Sequence, residues 1–474
     1  MNKKNYSFTS AIAGILLVSG LSVGMQSCGN SDNPILVVED PNANSVTITN
    51  DGATVTVTVP SEITEALSSL KSDITNKGTT EEYVVDINGT GLSASGSDNT
   101  ITVPSIDDAD INLNFKSAIT TNAPLEVKSE SAATESSPSK NKLTITMPDV
   151  AEAAAIDLNI TMPETTVTLA SSGTETVYDE VTALTANNTL IIGKGVKVKN
   201  LKVKGGNVVV DEGIVESIVI ATDITASITL DGSKIDKLYI SDGAAVNIIN
   251  DIIGKSPNIR IIDGDGTGTF NVPLTHLRNP QWDDVTNDWE KDEEGNQILY
   301  DVYSHYINQT ERISNVKISH QSNNNTLQVG TAELENCSID FDGFYFGLWD
   351  LNDYSPSKTS YTIKNCKFTS TNSGNTMFSL QSPFLSNGLT SFNTILEDCE
   401  FSSAFSKLTI AAISDTDTGN LTFTFNNCTI GGNPLNSGQI KDGTSSTETL
   451  TVKYIIDGTE YVGTGNPWTL TQTN

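Results

Sequence analysis

The sequence predicts an all-β protein in which a parallel β-helix (a solenoid) is preceded by a smaller all-β repeat domain. Three observations carry this reading. Nine times between Asn200 and Asn427 an apolar strand end, a bend residue and a new strand opening on an inward apolar side chain follow one another. The bends fall at Asn200, Ser217, Lys237, Asn258, Asn315, Asn336, Asn365, Asp398 and Asn427. Val, Ile and Thr alternate with polar residues in short runs, and only 18% of the chain is charged, which fits half-buried strands rather than a disordered acidic chain. The bends lie 17, 20 and 21 residues apart at first and 21, 29, 33 and 29 apart later. Such intervals are those of coils that bury their apolar faces only by stacking on one another.

Residues 1–28 read as an export signal. Lys3 and Lys4 give a positive start and Ala11–Val23 an apolar run of about 13 residues, too short to span a bilayer. Ser27 then precedes Cys28, the only cysteine before position 337. This stretch resembles a bacterial lipoprotein signal, which implies that Cys28 becomes the acylated N-terminus. Met25-Gln26 stands where the general motif has Leu and a small residue, and Bacteroidota-type lipoproteins are looser there. The resemblance implies a lipid anchor in the bacterial outer membrane. Gly29–Pro34 holds a single acid, Asp32, and the expected placement is on the cell surface rather than facing the periplasm.

Residues 29–44, with Asn30, Ser31, Asn33, Pro34, Pro41 and Asn44, form a tether. From 45 to 175 the chain reads as an all-β domain of three 44-residue units, sandwich-like or itself a widening of the solenoid. Thr56-Val57-Thr58-Val59-Pro60 recurs as Thr100-Ile101-Thr102-Val103-Pro104 and as Thr144-Ile145-Thr146-Met147-Pro148. Each Pro ends its strand because it cannot donate to a ladder. Ile63, Leu67, Leu70 and Ile74 have helical spacing and predict one short helix.

The β-helix is expected over residues 176–440, with an insertion at 276–312 and a closing cap at 441–474. In Leu334-Glu335-Asn336-Cys337 two inward residues stand three apart, which strict alternation forbids unless the chain turns between them. Asn and Asp tolerate the left-handed conformation that a one-residue corner needs. Within the insertion, Asp288-Trp289-Glu290 and Ile298-Leu299-Tyr300 predict a hairpin around Glu294-Gly295-Asn296. The bend pattern resembles the right-handed parallel β-helix of the pectate-lyase-like superfamily, whose asparagine ladders occupy this corner. The resemblance covers about residues 188–435 and speaks to fold more than to function.

Cys337, Cys366, Cys399 and Cys428 all occupy the first inward position after a bend. Residues one rung apart lie about 4.8 Å from each other, but their Cβ vectors run parallel, so a column of buried thiols is the simpler account than disulfides. Metal ligation lacks a Cys-x-x-Cys pair or a nearby histidine.

The formal net charge is −31, and −33 once residues 1–28 leave with Lys3 and Lys4 (25 basic against 58 acidic residues). With no basic stripe, nucleic acid is excluded as a partner. The superfamily resemblance implies a search for lyase and hydrolase chemistry. Asp263-Gly264-Asp265 with Arg260 is the nearest acidic set with a base beside it, yet Asp-Gly also suits any coil corner. His276, His305 and His320 stand outside any paired-aspartate setting, so no catalytic residue is assigned. Asp415-Thr416-Asp417-Thr418-Gly419-Asn420 alternates oxygen ligands in the manner of a calcium loop but lacks the distal glutamate; calcium is the one cofactor considered.

The binding candidates are aromatic. Alternation through Phe344, Phe346 and Leu348 sends Tyr345 and Trp349 to the other face, beside Asp350 and Asp353. Flat rings flanked by carboxylates suit sugars, by stacking and by accepting hydroxyl hydrogen bonds. Trp282 and Trp289 in the insertion have the same character. The expected function is that of a lipid-anchored, non-enzymatic surface module that binds glycan or surface proteins. A polysaccharide lyase or glycoside hydrolase acting on acidic glycans, or a structural envelope component, are the alternatives.

Overall fold

The computed structural model describes residues 45–473 except 49–51, 79–80, 90–91, 95, 122, 131–140, 184–187, 232, 251–257, 281, 284–287, 293–295, 297, 321–325, 342–344, 349–359, 371–376, 382–390, 406, 412–418, 443–449 and 465–468. The chain divides into two compact units, residues 1–216 and 217–474.

The first unit is built from two parallel sheets whose strands alternate along the chain. One sheet stacks Gly52–Thr56, Tyr83–Asn88, Asp110–Phe115, Asn141–Met147, Thr165–Ser171, Thr189–Ile192 and Asn207–Asp211. The other stacks Thr100–Val103, Leu125–Ser129, Ile156–Thr161, Thr176–Ala183 and Val196–Val203. Of the two forms open for residues 45–175, the structure has the solenoid, and the same ladders continue past residue 175. The 44-residue recurrence is not the coil period. Thr56 ends a strand of the first sheet, Thr100–Val103 lies in the second, and Thr144–Met147 returns to the first. A strand followed by Pro is a local signal, and it recurs without regard to where each coil meets its neighbour.

Open sheet edges invite unwanted pairing, and this unit covers its own. Ser45–Ile48 lies antiparallel on Gly52–Thr56. The expected helix is two consecutive ones, α1 (Ser61–Ser69) and α2 (Lys71–Lys77). They bury Ile63, Leu67, Leu70 and Ile74, each at most 1% exposed. Glu62, in the first turn of α1, accepts from the Thr58 and Val59 amides of the incoming chain, at 2.7 and 3.3 Å. On the edge strand, the Thr102 amide donates to Thr64 Oγ1 of α1 at 2.9 Å.

The second unit has the same two-sheet plan at its start. Its first sheet runs from Thr225–Asp231 and Ala245–Asn250 through Thr269–Val272, Lys317–His320, Ser338–Phe341 and Lys367–Ser370 to Glu400–Phe401 and Thr429–Ile430. Its second sheet runs from Lys234–Ile240 and Asn258–Gly264 through the long strands Leu299–Ser314 and Thr326–Glu335 to Ser360–Lys364, Ser391–Glu397, Gly419–Asn426 and Leu450–Ile456. A third sheet begins on the Thr326–Val329 end of the long strand and adds Tyr345–Leu348, Met377–Gln381, Leu408–Ala411 and Ile440–Asp442. Leu450–Ile456 is therefore one more rung, and the lid proper is the antiparallel pair Thr459–Thr464 and Thr469–Gln472 laid beside it. The insertion is antiparallel, with Leu274–Pro280 against Leu299–His305. Its hairpin closes through Ile298 N to Glu290 O and Asp292 N to Asn296 O, both 2.8 Å.

Five of the nine expected bends are left-handed corners. Asn315, Asn336, Asn365, Asp398 and Asn427 have φ between 50 and 55°, each joining a strand of the second sheet to one of the first. Their amides form a ladder across the coils. Asn336 Nδ2 donates to Asn315 Oδ1 at 3.0 Å, Asn365 Nδ2 to Asn336 Oδ1 at 2.8 Å, and Asn427 Nδ2 to Asp398 Oδ1 at 2.6 Å. Between Asn365 and Asp398 the ladder breaks, because a carboxylate has no proton to give the Asn365 carbonyl.

The other four bends are not corners. Asn200, Ser217 and Lys237 sit inside the strands Val196–Val203, Ile214–Ile220 and Lys234–Ile240, each as the second of two consecutive outward residues, and none has positive φ. Asn258 opens its strand, and the outward pair there is Arg260-Ile261. An in–out–out–in pattern can be met by a local irregularity in a continuous strand as well as by a turn. The pairing skips one position there, from Tyr178–Val198 to Glu180–Asn200 and from Ile235–Ile259 to Lys237–Ile261.

Replacing Asn336 by Ala should destabilise the protein by about 2–3 kcal/mol, as two ladder bonds are lost and a β-carbon remains in left-handed backbone. Asn336→Gly should recover about 1 kcal/mol of that. Asp398→Asn supplies the missing donor and should stabilise by about 0.5–1.5 kcal/mol. Urea unfolding of the three variants measures each.

Candidate functional site

The Asp263-Gly264-Asp265 set lies in the second unit, where the strand Asn258–Gly264 ends. Asp263 is the foot of the corner ladder. Its Oδ1 accepts from Asn315 Nδ2 at 3.0 Å, Ser314 Oγ at 2.9 Å and the Gly264 amide at 3.0 Å. Its Oδ2 faces Lys237 Nζ at 3.6 Å and an Arg312 nitrogen at 3.9 Å. Burial pushes this carboxyl up, but the Asn315, Ser314 and Gly264 donors and the Lys237 charge outweigh it, so it titrates below the usual aspartate range. Gly264 is demanded by packing. A Cβ there would stand 2.5 Å from Ile240 O and 2.9 Å from Asn315 O.

Asp265 accepts the hydroxyl of Tyr239, the register partner of Asp263. That bond, helped by burial and by the charges of Asp265, Asp263 and Asp242, pushes the phenol up to about 12. Arg260, the candidate base, is committed on both sides, to Glu311 at 2.9 Å and to Asp236 at 3.5 Å. A proton-abstracting base needs a free lone pair near the substrate carbon, and a guanidinium held between two carboxylates offers none. The two aspartates thus accept hydrogen bonds from different groups, Asp263 from Asn315, Ser314 and Gly264 and Asp265 from Tyr239.

The same pairing runs through the second sheet of the first unit. Lys197 meets Glu216 at 2.8 Å, Lys199 meets Asp179 at 3.1 Å and Lys202 meets Glu180 at 2.5 Å. Opposite charges on adjacent rungs hold the strands in register, each exposed pair contributing at most about 1 kcal/mol. Among the described residues, no group of three His, Cys, Asp or Glu side chains could hold a metal ion.

The four coil cysteines are buried and free. Each follows a corner and points its thiol at backbone carbonyls, as Cys337 does toward Glu335 O at 3.2 Å and Cys366 toward Lys364 O at 3.3 Å. Burial pushes the Cys366 thiol up, and hydrogen bonding with Cys337 adds to it. These groups pack the corner as a file of small hydrophobes.

The aromatic candidates are placed only in part. Trp282 and Trp289 are register partners in a short antiparallel pair. Tyr345 opens a strand of the third sheet, opposite Thr326 and Met377. Trp349, Asp350 and Asp353 lie outside the described residues, as do Asp415–Thr418 and the lipidation candidate Cys28. His276 and His305 belong to the antiparallel strands of the insertion and His320 ends a strand of the first sheet. No helix among the described residues is long and apolar enough to cross a membrane.

What the register does show is a common address for the longer connections. Residues 349–359, 382–390, 412–418 and 443–449 each join a strand of the third sheet to the next strand of the second. Since both sheets are parallel stacks, the strand ends Leu348, Gln381, Ala411 and Asp442 stand on successive rungs of the third sheet, and the strand starts Ser360, Ser391, Gly419 and Leu450 on successive rungs of the second. The four connections hold Trp349, Asp350, Asp353, Tyr354, Asp415, Asp417 and Glu448, and a single cation, Lys358.

Comparison of the chain with protein-family models, with curated proteins and with solved structures gave no match in any of the three. The parallel β-helix stands on the strand register alone.

Asp263 has a lower pKa folded than unfolded, so its stabilising effect is complete above about pH 4 and is lost as pH falls through the folded value. Asp263→Asn should therefore be less stable than wild type at neutral pH, with the difference closing on acidification below about pH 4. Urea unfolding repeated across that range checks it; a gap independent of pH would count against the role given to the carboxylate.

Proposed function

We propose that the chain is a lipid-anchored protein of the bacterial outer membrane, held by acylated Cys28, whose β-helix displays a binding surface toward the outside of the cell. It acts by binding glycan or surface proteins rather than by catalysis. The observation that supports this reading is that four long connections start from successive rungs of the third sheet and end on successive rungs of the second. A rigid stack of coils presents successive loops at one position, and such loops are where a regular scaffold carries recognition. Their residues are aromatic, hydroxylic and acidic, the chemistry of sugar stacking and hydroxyl acceptance. Trp349 with Asp350 and Asp353 stands in the first of them, and Tyr345 opens the strand before it.

The lyase reading finds less support. Its one candidate base, Arg260, is held by two carboxylates, and Asp263 is spent on the corner.

On a glycan array, wild-type protein should bind a defined subset of sugars, and Trp349→Ala should weaken that binding about tenfold or more, the loss of one stacking contact of about 1.4 kcal/mol. New unsaturated uronate ends or reducing ends released from a polysaccharide panel would overturn the non-catalytic reading. In cells, Cys28→Ala should abolish incorporation of a labelled fatty acid and release the protein from the membrane fraction.

A further inference from the structure

The two faces of the first unit differ in chemistry. The second sheet points charges outward and pairs them. The first sheet, over the rungs from Asp110–Phe115 to Asn207–Asp211, points almost none. Its outward residues are Thr, Asn and short aliphatic side chains in register: Asn112 lies beside Thr144, Thr144 beside Thr168, Thr168 beside Ile191 and Ile191 beside Val209, with Thr166 in the neighbouring file. The charges on these rungs, Asp110, Lys142 and Asp211, lie near the strand ends. Asp110 pairs with Lys142 at 3.4 Å, and Asp86 takes Lys116 at 2.9 Å and Asn114 at 2.7 Å. Neighbouring files are also tied together, as Thr146 Oγ1, in register with Asn114, donates to Asn112 Oδ1 at 2.9 Å.

In a chain of net charge −31, a broad neutral face cannot be selective for an ionic partner of either sign by charge pairing, and the negative surround repels polyanions. A parallel sheet offers donors and acceptors about 4.8 Å apart along the stack, close to the rise of one sugar in an extended β-linked chain. Hydroxyl and amide groups can serve such a chain's hydroxyls. The methyls of Thr168, Ile191 and Val209 suit the apolar faces of its rings.

We infer that this face binds an uncharged, extended β-linked polysaccharide lying along the stack across successive rungs. The inference rests on the reading of the protein as a binding module and names a ligand class for it, at a surface separate from the long connections of the second unit.

The test is co-sedimentation of the full mature chain with insoluble cellulose and mannan, and affinity electrophoresis in polygalacturonate and alginate. Retention on at least one neutral polymer, unchanged in high salt, is expected, with no retardation by the acidic polymers. Thr144→Lys with Thr168→Lys should reduce retention at least tenfold, and the isosteric Thr144→Val with Thr168→Val several-fold. Asn159→Lys on the opposite face should leave it unchanged. Unfolding midpoints of all variants show that each is folded.

Retention untouched by both double variants overturns the proposed face while leaving a binding role intact, and its loss in Trp349→Ala alone would move the site to the loops. Retention only by acidic polymers, or self-association abolished by the lysines without any retained polysaccharide, overturns the ligand class. Absence of binding to every polymer would remove both this proposal and the glycan reading beneath it.

Discussion

Each coil depends on placing inward side chains directly over those of the coil below. A single strand of this chain buries nothing by itself. Only when Leu113, Ile145, Leu169 and Ile192 stand in one file, as they do in the first unit, does each become inaccessible to water. Full burial of one such side chain is worth about 1.5–3 kcal/mol, and a slip of one residue would turn the whole set outward. The corners and charged rungs serve that register. A left-handed Asn lets the chain turn in one residue, and its amide ties the turn to the coil on either side. Aromatic residues extend the principle in the second unit, where Phe368 and Phe401 stack at 4.8 Å with nearly parallel rings.

Much of this was legible in the sequence. The coil, the asparagine corners from Asn315 to Asn427, the file of cysteines behind them and the hairpin in the insertion all follow from alternation, bend chemistry and spacing. The failures have physical causes. Asn200, Ser217 and Lys237 share the in–out–out–in pattern with the true corners, and a pattern of faces does not record whether φ changes sign. The 44-residue recurrence around Pro60, Pro104 and Pro148 marks strand ends, not rungs. Asp263 was visible as an acidic residue beside Asp265 and Arg260, but its place at the foot of the ladder was not. The insertion puts its partners Ser314 and Asn315 about fifty residues away, and no local pattern spans such a gap. Trp349, Asp350, Asp353 and Cys28 lie outside the described residues.

The distribution of charge separates scaffold from surface. Lysines and arginines are few, and on the second sheets Lys197, Lys199, Lys202, Lys237, Arg260 and Lys364 are each occupied by carboxylates of neighbouring rungs. The two surfaces proposed for binding, the threonine and asparagine face of the first unit and the long connections of the second, are poor in cations, and the proposal of a hydroxyl-bearing partner rests on that. The break in the amide ladder between Asn365 and Asp398 marks the one place where the corner file changes character, although the backbone bond from Asn365 N to Glu397 O persists there at 2.8 Å.

The central claim is that corner residues from distant parts of the chain touch in a fixed order. A set of double-mutant cycles on stability tests it most directly. Asn336 with Asn365, and Asp398 with Asn427, should each show a coupling of about 0.5–1 kcal/mol, while Asn365 with Asp398 should show none that is favourable. Strict additivity in the first two pairs, or favourable coupling in the third as strong as theirs, would contradict the stacked corners and the fold built on them.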